Sequence, residues 1–573
     1  MNRLFRSLSA TVKRPRQSTV LRYLGLCLFN AVLASSPAWG AERVYITYGP
    51  LEVSLPVESL ELFTKQGIID RNIDGFAQYA TEEQLARLRV ALQVRADVSP
   101  VTISQFLYTP QGEVLLERLG RVIQTKARQP GFYAIRAALI LAAADPDGLT
   151  ILNVLRKFPT YGIRINIGRG LEIADQLTRL INQSNRAIAG VVQLANQEAT
   201  AAPTLNLTDL PDPQRQGSLR WQKLSLTLTN NNRGRTFPVD LYLPQGEAGK
   251  PAPVIVISHG LGSDRISFDY LAEYLASYGF AVAVPEHPGS NAQQLQNLVA
   301  GRANEVAQPT EFIDRVLDIK DILDYLSTLS QSDPRYRGRL DLQRVGAIGQ
   351  SFGGYTVLAL AGAPINFEEL DRECQLVNDT WNISLLLQCS ARNLPRIGYK
   401  LKDDRIKAAI AVNPITSSIF GKASLSQIKI PLMIVGGSAD TVAPAVLEQI
   451  QPFTWLTTAN KYLAIMKNGT HFSTIKQSPQ SVFQAPPEVI GPEPDLARRY
   501  LKELSLGFME TYILNRPEFR TFLQPAYAKA ISRDSFGLSI LRSLTPEQLQ
   551  KILSGPPSPA PLSPTPQPTP SPR

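Results

Sequence analysis

The stretch Arg344–Ala361, RVGAIGQSFGGYTVLALA, decides how the rest of the chain is read. Val345, Ala347 and Ile348 form a short apolar run of the kind a buried strand carries, and Tyr355 to Leu360 continues as an apolar helical face. Between them lies Gly349-Gln350-Ser351-Phe352-Gly353, a G-x-S-x-G pattern. A serine at a strand-to-helix corner takes strained backbone angles, and flanking glycines remove the side chains that would collide there. The helix behind the corner turns backbone N–H groups toward negative charge developing beside the serine. The five-residue pattern alone also fits a glycine-rich loop with a solvated serine. The flanking strand and helix favour Ser351 as a nucleophile.

A nucleophilic serine needs a base, and the base an orienting acid. Downstream, the apolar run Pro431–Val435 leads into Gly436-Gly437-Ser438-Ala439-Asp440, and Tyr462–Met466 leads into Lys467-Asn468-Gly469-Thr470-His471. Each places its polar residue in a loop just past a strand. In this reading His471 takes the Ser351 proton and returns it to the leaving group, while Asp440 fixes the histidine tautomer. Only three histidines exist, and each follows a predicted strand. His259, in Ser258-His259-Gly260-Leu261-Gly262, is expected to brace a loop over the site. The backbone N–H groups of Leu261 and Phe352 are the expected oxyanion donors; losing one such donor costs about 3–4 kcal/mol of transition-state stabilisation. His287, in Glu286-His287-Pro288-Gly289-Ser290, is expected to line the pocket with His259, Gly260 and Gln350. No metal is expected, because the three loops differ and no close-spaced histidine pair exists. The serine system needs no cofactor.

Around these motifs the period of the sequence changes along the chain. Trp221–Thr229 and Thr236–Leu243 alternate about Asn230–Gly234 and read as a β-hairpin. Apolar strand-like runs then alternate with helical stretches, from Pro253–Ser258 and Phe280–Pro285 to Ile406–Val412, Pro431–Val435 and Lys461–Met466. That alternation predicts an α/β fold, a mostly parallel, doubly wound sheet whose ligands bind beyond the carboxyl ends of the strands.

The His259–Gly262 loop, the Glu286–Ser290 loop, the Gly349–Gly354 elbow, Asp440 and His471 together resemble the dienelactone hydrolase and platelet-activating-factor acetylhydrolase branch of the α/β-hydrolases, over roughly residues 220 to 510. The resemblance implies the α/β-hydrolase fold and hydrolysis of carboxylic esters, with a short acyl chain on a phospholipid as one substrate class. Gln350 departs from the histidine usual before the serine in the acetylhydrolases, and serine departs from the cysteine of the dienelactone hydrolases. The region ahead of the hydrolase is similar to an uncharacterised domain found before such hydrolases in exported proteins, which implies no activity.

At 573 residues the chain exceeds one core. Residues 1–40 carry six basic and no acidic residues, then an apolar run Tyr23–Ala34 and a small-residue exit, the layout of a secretory signal. The run is shorter than the roughly 20 residues of a spanning helix. Removing the leader leaves 53 basic against 49 acidic residues, so the basic pI is no argument for nucleic-acid binding. A periplasmic or extracellular location follows. Cys374 and Cys389 then remain as an expected disulfide closing a 15-residue separation.

The expected organisation is a mainly helical domain over 41–200, a linker over 201–217, the catalytic domain over 218–515 and C-terminal helices over 516–554. A proline-rich tail covers 555–573, and 364–403 forms an insertion that either caps the pocket or is a plain surface excursion. The helical region has no chemistry-bearing cluster, and no partner is assigned to it. The expected partner of the whole is a small-molecule or lipid ester, with peripheral contact with membrane lipid as one reading. Two alternatives stay open: a serine peptidase of prolyl-oligopeptidase type, which the lack of repeated β-blades disfavours, and a non-catalytic binding protein on a hydrolase fold.

Overall fold

A computed structural model describes residues 40–555, apart from 97, 202–204, 206, 208–209, 246–249 and 479–484. But for Gly40 and Gly555, the expected leader and the proline-rich tail lie outside the described residues, as does part of the expected linker.

The chain divides into two compact units. The first takes in the residues up to Pro100 together with Leu119–Arg169. Its helices follow local signals. Thr81 and Gln84 form a capping box, with Thr81 Oγ1 accepting from the Gln84 N–H at 3.2 Å and Gln84 Oε1 accepting from the Thr81 N–H at 2.9 Å. The unit also holds a four-stranded sheet of order β2-β1-β4-β3, built from β1 (Arg43–Tyr48), β2 (Leu51–Pro56), β3 (Ile123–Thr125) and β4 (Gly162–Asn166). The alternating run RVYITY of β1 is strand-like in the sequence as well. β3, of three residues, is too short for a period to show.

The second unit takes in Val101–Arg118 and the chain from Gly170 onward. Its nine-stranded sheet has the order β13-β12-β11-β10-β9-β7-β8-β6-β5. The hairpin β5 (Trp221–Asn230) and β6 (Arg235–Pro244) is antiparallel. β7 (Ala252–Ser258), β8 (Ala281–Pro285), β9 (Leu340–Gln350), β10 (Ile406–Val412), β11 (Leu432–Gly437) and β12 (Lys461–Met466) form a parallel centre. β13 (Leu538–Leu541) closes the far edge antiparallel to β12, inside the segment expected to be helical. Its run LSIL is too short for periodicity to separate strand from helix.

Side chains alternate across the sheet as strand geometry requires. Val254 and Val256 join the core on one face, Ile255 and Ile257 that on the other. The long helix α1 (Ile167–Ala201) buries Ala187 and Val191 in the first of these cores. A β-carbon on its Gly190 would meet Ile552 at 2.6 Å, so α1 docks on the C-terminal helix and the sheet, although its composition reads as part of the N-terminal region. Two helices cover the same face, α2 (Glu311–Ser332) and α3 (Phe352–Leu360). Helices Asp269–Ser277 and Pro494–Tyr512 cover the other.

The insertion after α3 carries the Cys374–Cys389 disulfide. Asn378 Nδ2 donates to Glu117 Oε2 at 2.8 Å and Arg118 donates to the Val377 carbonyl, so the segment Val101–Arg118 rests on this insertion. Ser384 N–H donates to the Val442 carbonyl at 2.8 Å, tying the insertion to the loop after β11. In the loop-entropy account a bridge closing 15 residues stabilises by about 3 kcal/mol. Cys374→Ser/Cys389→Ser is therefore expected to unfold at a lower urea concentration than the oxidised protein; an unchanged midpoint would show that the loop is already held by its packing.

Candidate active site

Ser351 follows the last residue of β9, and its N–H donates to the Val412 carbonyl of β10 at 2.8 Å. Its backbone sits at φ 56°, ψ −115°, a conformation that costs energy for a residue with a β-carbon. The neighbouring glycines are there because backbone approaches them. A β-carbon on Gly349 would lie 2.0 Å from the Gly353 carbonyl oxygen, and one on Gly353 would lie 2.0 Å from that of Ser258.

The corner aims Ser351 Oγ at His471 Nε2, 2.9 Å away, and His471 Nδ1 lies 2.7 Å from Asp440 Oδ2. The carboxylate can only accept, so Nδ1 carries the hydrogen and Nε2 is left to accept from the serine. The other carboxylate oxygen, Oδ1, accepts the N–H groups of Val442 (2.9 Å) and Ala443 (2.7 Å), which fixes the plane of the acid. The loops carrying acid and base touch backbone to backbone. A β-carbon on Gly437 would lie 2.3 Å from the Gly469 carbonyl oxygen, and Ala439 N–H donates to that carbonyl at 2.8 Å. Gln350 is buried and donates from Nε2 to the His471 carbonyl at 3.1 Å, so it braces the histidine loop. The three residues that sequence assigns to nucleophile, base and acid thus meet in one hydrogen-bonded line, each of them buried.

The His259-Gly260-Leu261 loop runs against the nucleophile: a β-carbon on Gly260 would sit 3.3 Å from Ser351 Cβ. Among the described residues, neither the Leu261 nor the Phe352 N–H donates to a backbone carbonyl. His259 and His287 are expected to line the pocket, but both are wholly buried. His259 Nδ1–H donates to the Gly260 carbonyl at 2.8 Å, and its Nε2 accepts from the His287 N–H at 3.0 Å. His287 Nδ1–H donates to Asp318 Oδ2 at 2.9 Å, and its Nε2 accepts from Ser258 Oγ at 3.0 Å. The His287 ring turns inward onto Asp318 of α2, a partner that lies in a distant segment, while the His259 ring is held by backbone groups of the two loops. Sequence reading misses that frame, yet it carries a signal. Glu311, Arg315 and Asp318 fall in the apolar stripe of Phe312, Val316 and Ile319, and charges in a core-facing stripe need partners.

Burial, reinforced by the Arg315 charge, holds His259 and His287 well below the usual histidine range. The Asp318 carboxylate does not reverse this, because Arg233 and Arg235 already pair with it. Both rings stay neutral in the fold and become protonated in the unfolded chain below about pH 6.5, so their contribution is complete above that pH and is lost as pH falls. Each should steepen acid destabilisation by about 1.4 kcal/mol per pH unit. Urea midpoints between pH 7.5 and 5 should therefore fall more steeply for the natural protein than for His287→Gln; parallel curves would contradict a neutral buried ring.

A family model described as "Alpha/beta hydrolase of unknown function (DUF1400)" matches residues 40–166, and one described as "Platelet-activating factor acetylhydrolase, isoform II" matches residues 236–314. The chain is 29% identical to the platelet-activating factor acetylhydrolase of Canis lupus familiaris, over 24% of its own length and 37% of the relative's. It is 26% identical to the Cavia porcellus protein of the same name, over 24% and 36%, and 35% identical to the hydrolyase poxO of Penicillium oxalicum, over 22% and 27%. The matches thus span between 27% and 37% of the length of these curated relatives.

Proposed function

We infer from a chain that belongs to the α/β-hydrolases, on the platelet-activating-factor-acetylhydrolase-like branch, that it cleaves carboxylic esters through a covalent acyl-Ser351 intermediate. The observation that carries this is the line Ser351 Oγ, His471, Asp440, spaced 2.9 Å and 2.7 Å, with the serine on a strained corner. In the first half-reaction Ser351 Oγ attacks the ester carbonyl carbon while His471 Nε2 takes the hydroxyl proton. The C–O bond to the alcohol then breaks, and the imidazolium returns the proton to the departing oxygen. Water repeats the sequence on the acyl-enzyme and releases the acid. Asp440 stabilises the transient imidazolium, and the Leu261 and Phe352 N–H groups stabilise the tetrahedral oxyanion.

The substrate class is a lipid ester with a short acyl chain, a reading supported by the similarity to platelet-activating factor acetylhydrolases. The protein acts after export. A disulfide in the second unit supports this.

The test is hydrolysis of a p-nitrophenyl ester series, from acetyl to long acyl chains, beside a p-nitroanilide, together with labelling by a fluorophosphonate. Turnover of the short esters and one phosphonyl group per chain on Ser351 are expected. Turnover of the anilide alone would make the protein a peptidase. No labelling of a folded protein would make it a binding protein.

A further inference from the structure

The oxyanion donors of a serine hydrolase must be held in place before charge develops, since reorientation during the reaction would cancel much of their effect. In this chain both lie on the same buried cation. Arg315 projects from α2 and is wholly buried. Its Nη2 donates to the carbonyl of His259 and to Ser258 Oγ at 3.3 Å, its Nη1 to Ser290 Oγ at 2.7 Å, and its Nε to Thr356 Oγ1 at 3.3 Å. Its guanidinium carbon also sits over the Phe352 ring, 4.6 Å from the centroid. We propose that Arg315 is a positioning residue that sets both oxyanion donors at once, the Leu261 N–H through the His259 carbonyl and the Phe352 N–H through its ring. The inference rests on the serine-hydrolase reading above.

The geometry of the loop makes the coupling specific. Arg315 holds the His259–Gly260 peptide by its carbonyl, and the His259 ring holds the next peptide by the Gly260 carbonyl. In a trans peptide the N–H points opposite to the C=O, so fixing the Gly260 carbonyl on the ring directs the Leu261 N–H away from the buried frame. Ser290 relays the hold a second time, since its own carbonyl accepts from the Gly262 N–H at 2.8 Å. On the other side, Phe352 is the first residue of α3, and Thr356 Oγ1 donates to its carbonyl at 2.9 Å. The guanidinium plane meets all of these partners together. A lysine ammonium keeps the charge but is a single point with no plane to stack or fork.

Arg315→Lys is expected to lower kcat for a p-nitrophenyl ester by about 10- to 100-fold, short of the 10²- to 10³-fold for loss of a donor. KM should stay within about threefold, and binding of a trifluoromethyl ketone, which forms a tetrahedral oxyanion on the serine, should weaken in parallel with kcat. A role in packing alone would lower the melting temperature and leave kcat and ketone affinity unchanged, which would overturn the proposal. Should Arg315→Lys not fold, Phe352→Leu decides, because it keeps the backbone N–H and removes only the ring; unchanged kcat there likewise overturns it. If the natural protein turns over no ester at all, the hydrolase reading is what fails. A crystal structure of Arg315→Lys then still decides the positioning role. A displaced Gly260–Leu261 peptide supports it, and an unmoved one refutes it.

Discussion

Ser351→Ala is expected to lower kcat for a p-nitrophenyl ester by about 10⁴- to 10⁶-fold while the chain remains folded. Its Oγ is the atom on which the acyl group is carried, so the variant keeps only substrate binding and the oxyanion donors, which by themselves leave a small residual rate. Stability should hardly change. Alanine keeps the β-carbon, so the strain at φ 56° is neither relieved nor increased, and the change removes one hydrogen bond, that to His471. The melting temperature should move by no more than about 5 °C. His471→Ala should fall to a similar level, and adding it to Ser351→Ala should cost almost nothing more, because the two side chains act as a unit. Single variants that each retain a tenth of the natural rate, with losses that multiply in the double variant, would separate Ser351 and His471 and refute the mechanism.

How much of this was legible in the sequence follows from where the information lies. The elbow is local: the close backbone approaches at positions 349 and 353 leave glycine as the only residue that fits, so the chain records them in five letters. The parallel strands were legible for a related reason. Runs such as Val254–Ile257 are apolar on both faces because both faces of the sheet are covered, by α2 and α3 on one side and by Pro494–Tyr512 on the other. Acid and base were legible as polar residues just past such runs. What was hidden depends on partners far apart in the chain. Nothing near His287 announces that Asp318 and Ser258 will take both its nitrogens. Glu448 is buried and accepts from Asn382, Gln388, Thr416 and Ser417, pinning the disulfide-bearing insertion to the loop after β10, and none of these partners lies near it in the chain. In the first unit β3 was hidden differently, its three residues being too few to show a period.

Asp440→Asn is expected to lower kcat by about 10⁴-fold, although the two side chains have nearly the same shape. The reason is in the second carboxylate oxygen. Oδ1 accepts from the N–H groups of Val442 and Ala443 at 2.9 Å and 2.7 Å, so whatever replaces the carboxylate must put an acceptor there. An asparagine satisfies those two donors only by turning its oxygen to them, which leaves its NH₂ facing His471 Nδ1. Nδ1 must then accept, the ring hydrogen moves to Nε2, and Nε2 presents a donor to Ser351 Oγ where an acceptor is needed. The base is lost through its tautomer, with every heavy atom still in place. Substrate affinity should therefore stay close to that of the natural protein, and the fluorophosphonate labelling rate should fall with kcat, since both need the serine proton removed. A crystal structure of Asp440→Asn should show the substituted side chain and His471 superimposing on the natural pair. A loss of under about tenfold in a variant with that geometry would mean the tautomer is set by another group, and Asp440 would no longer be the orienting acid.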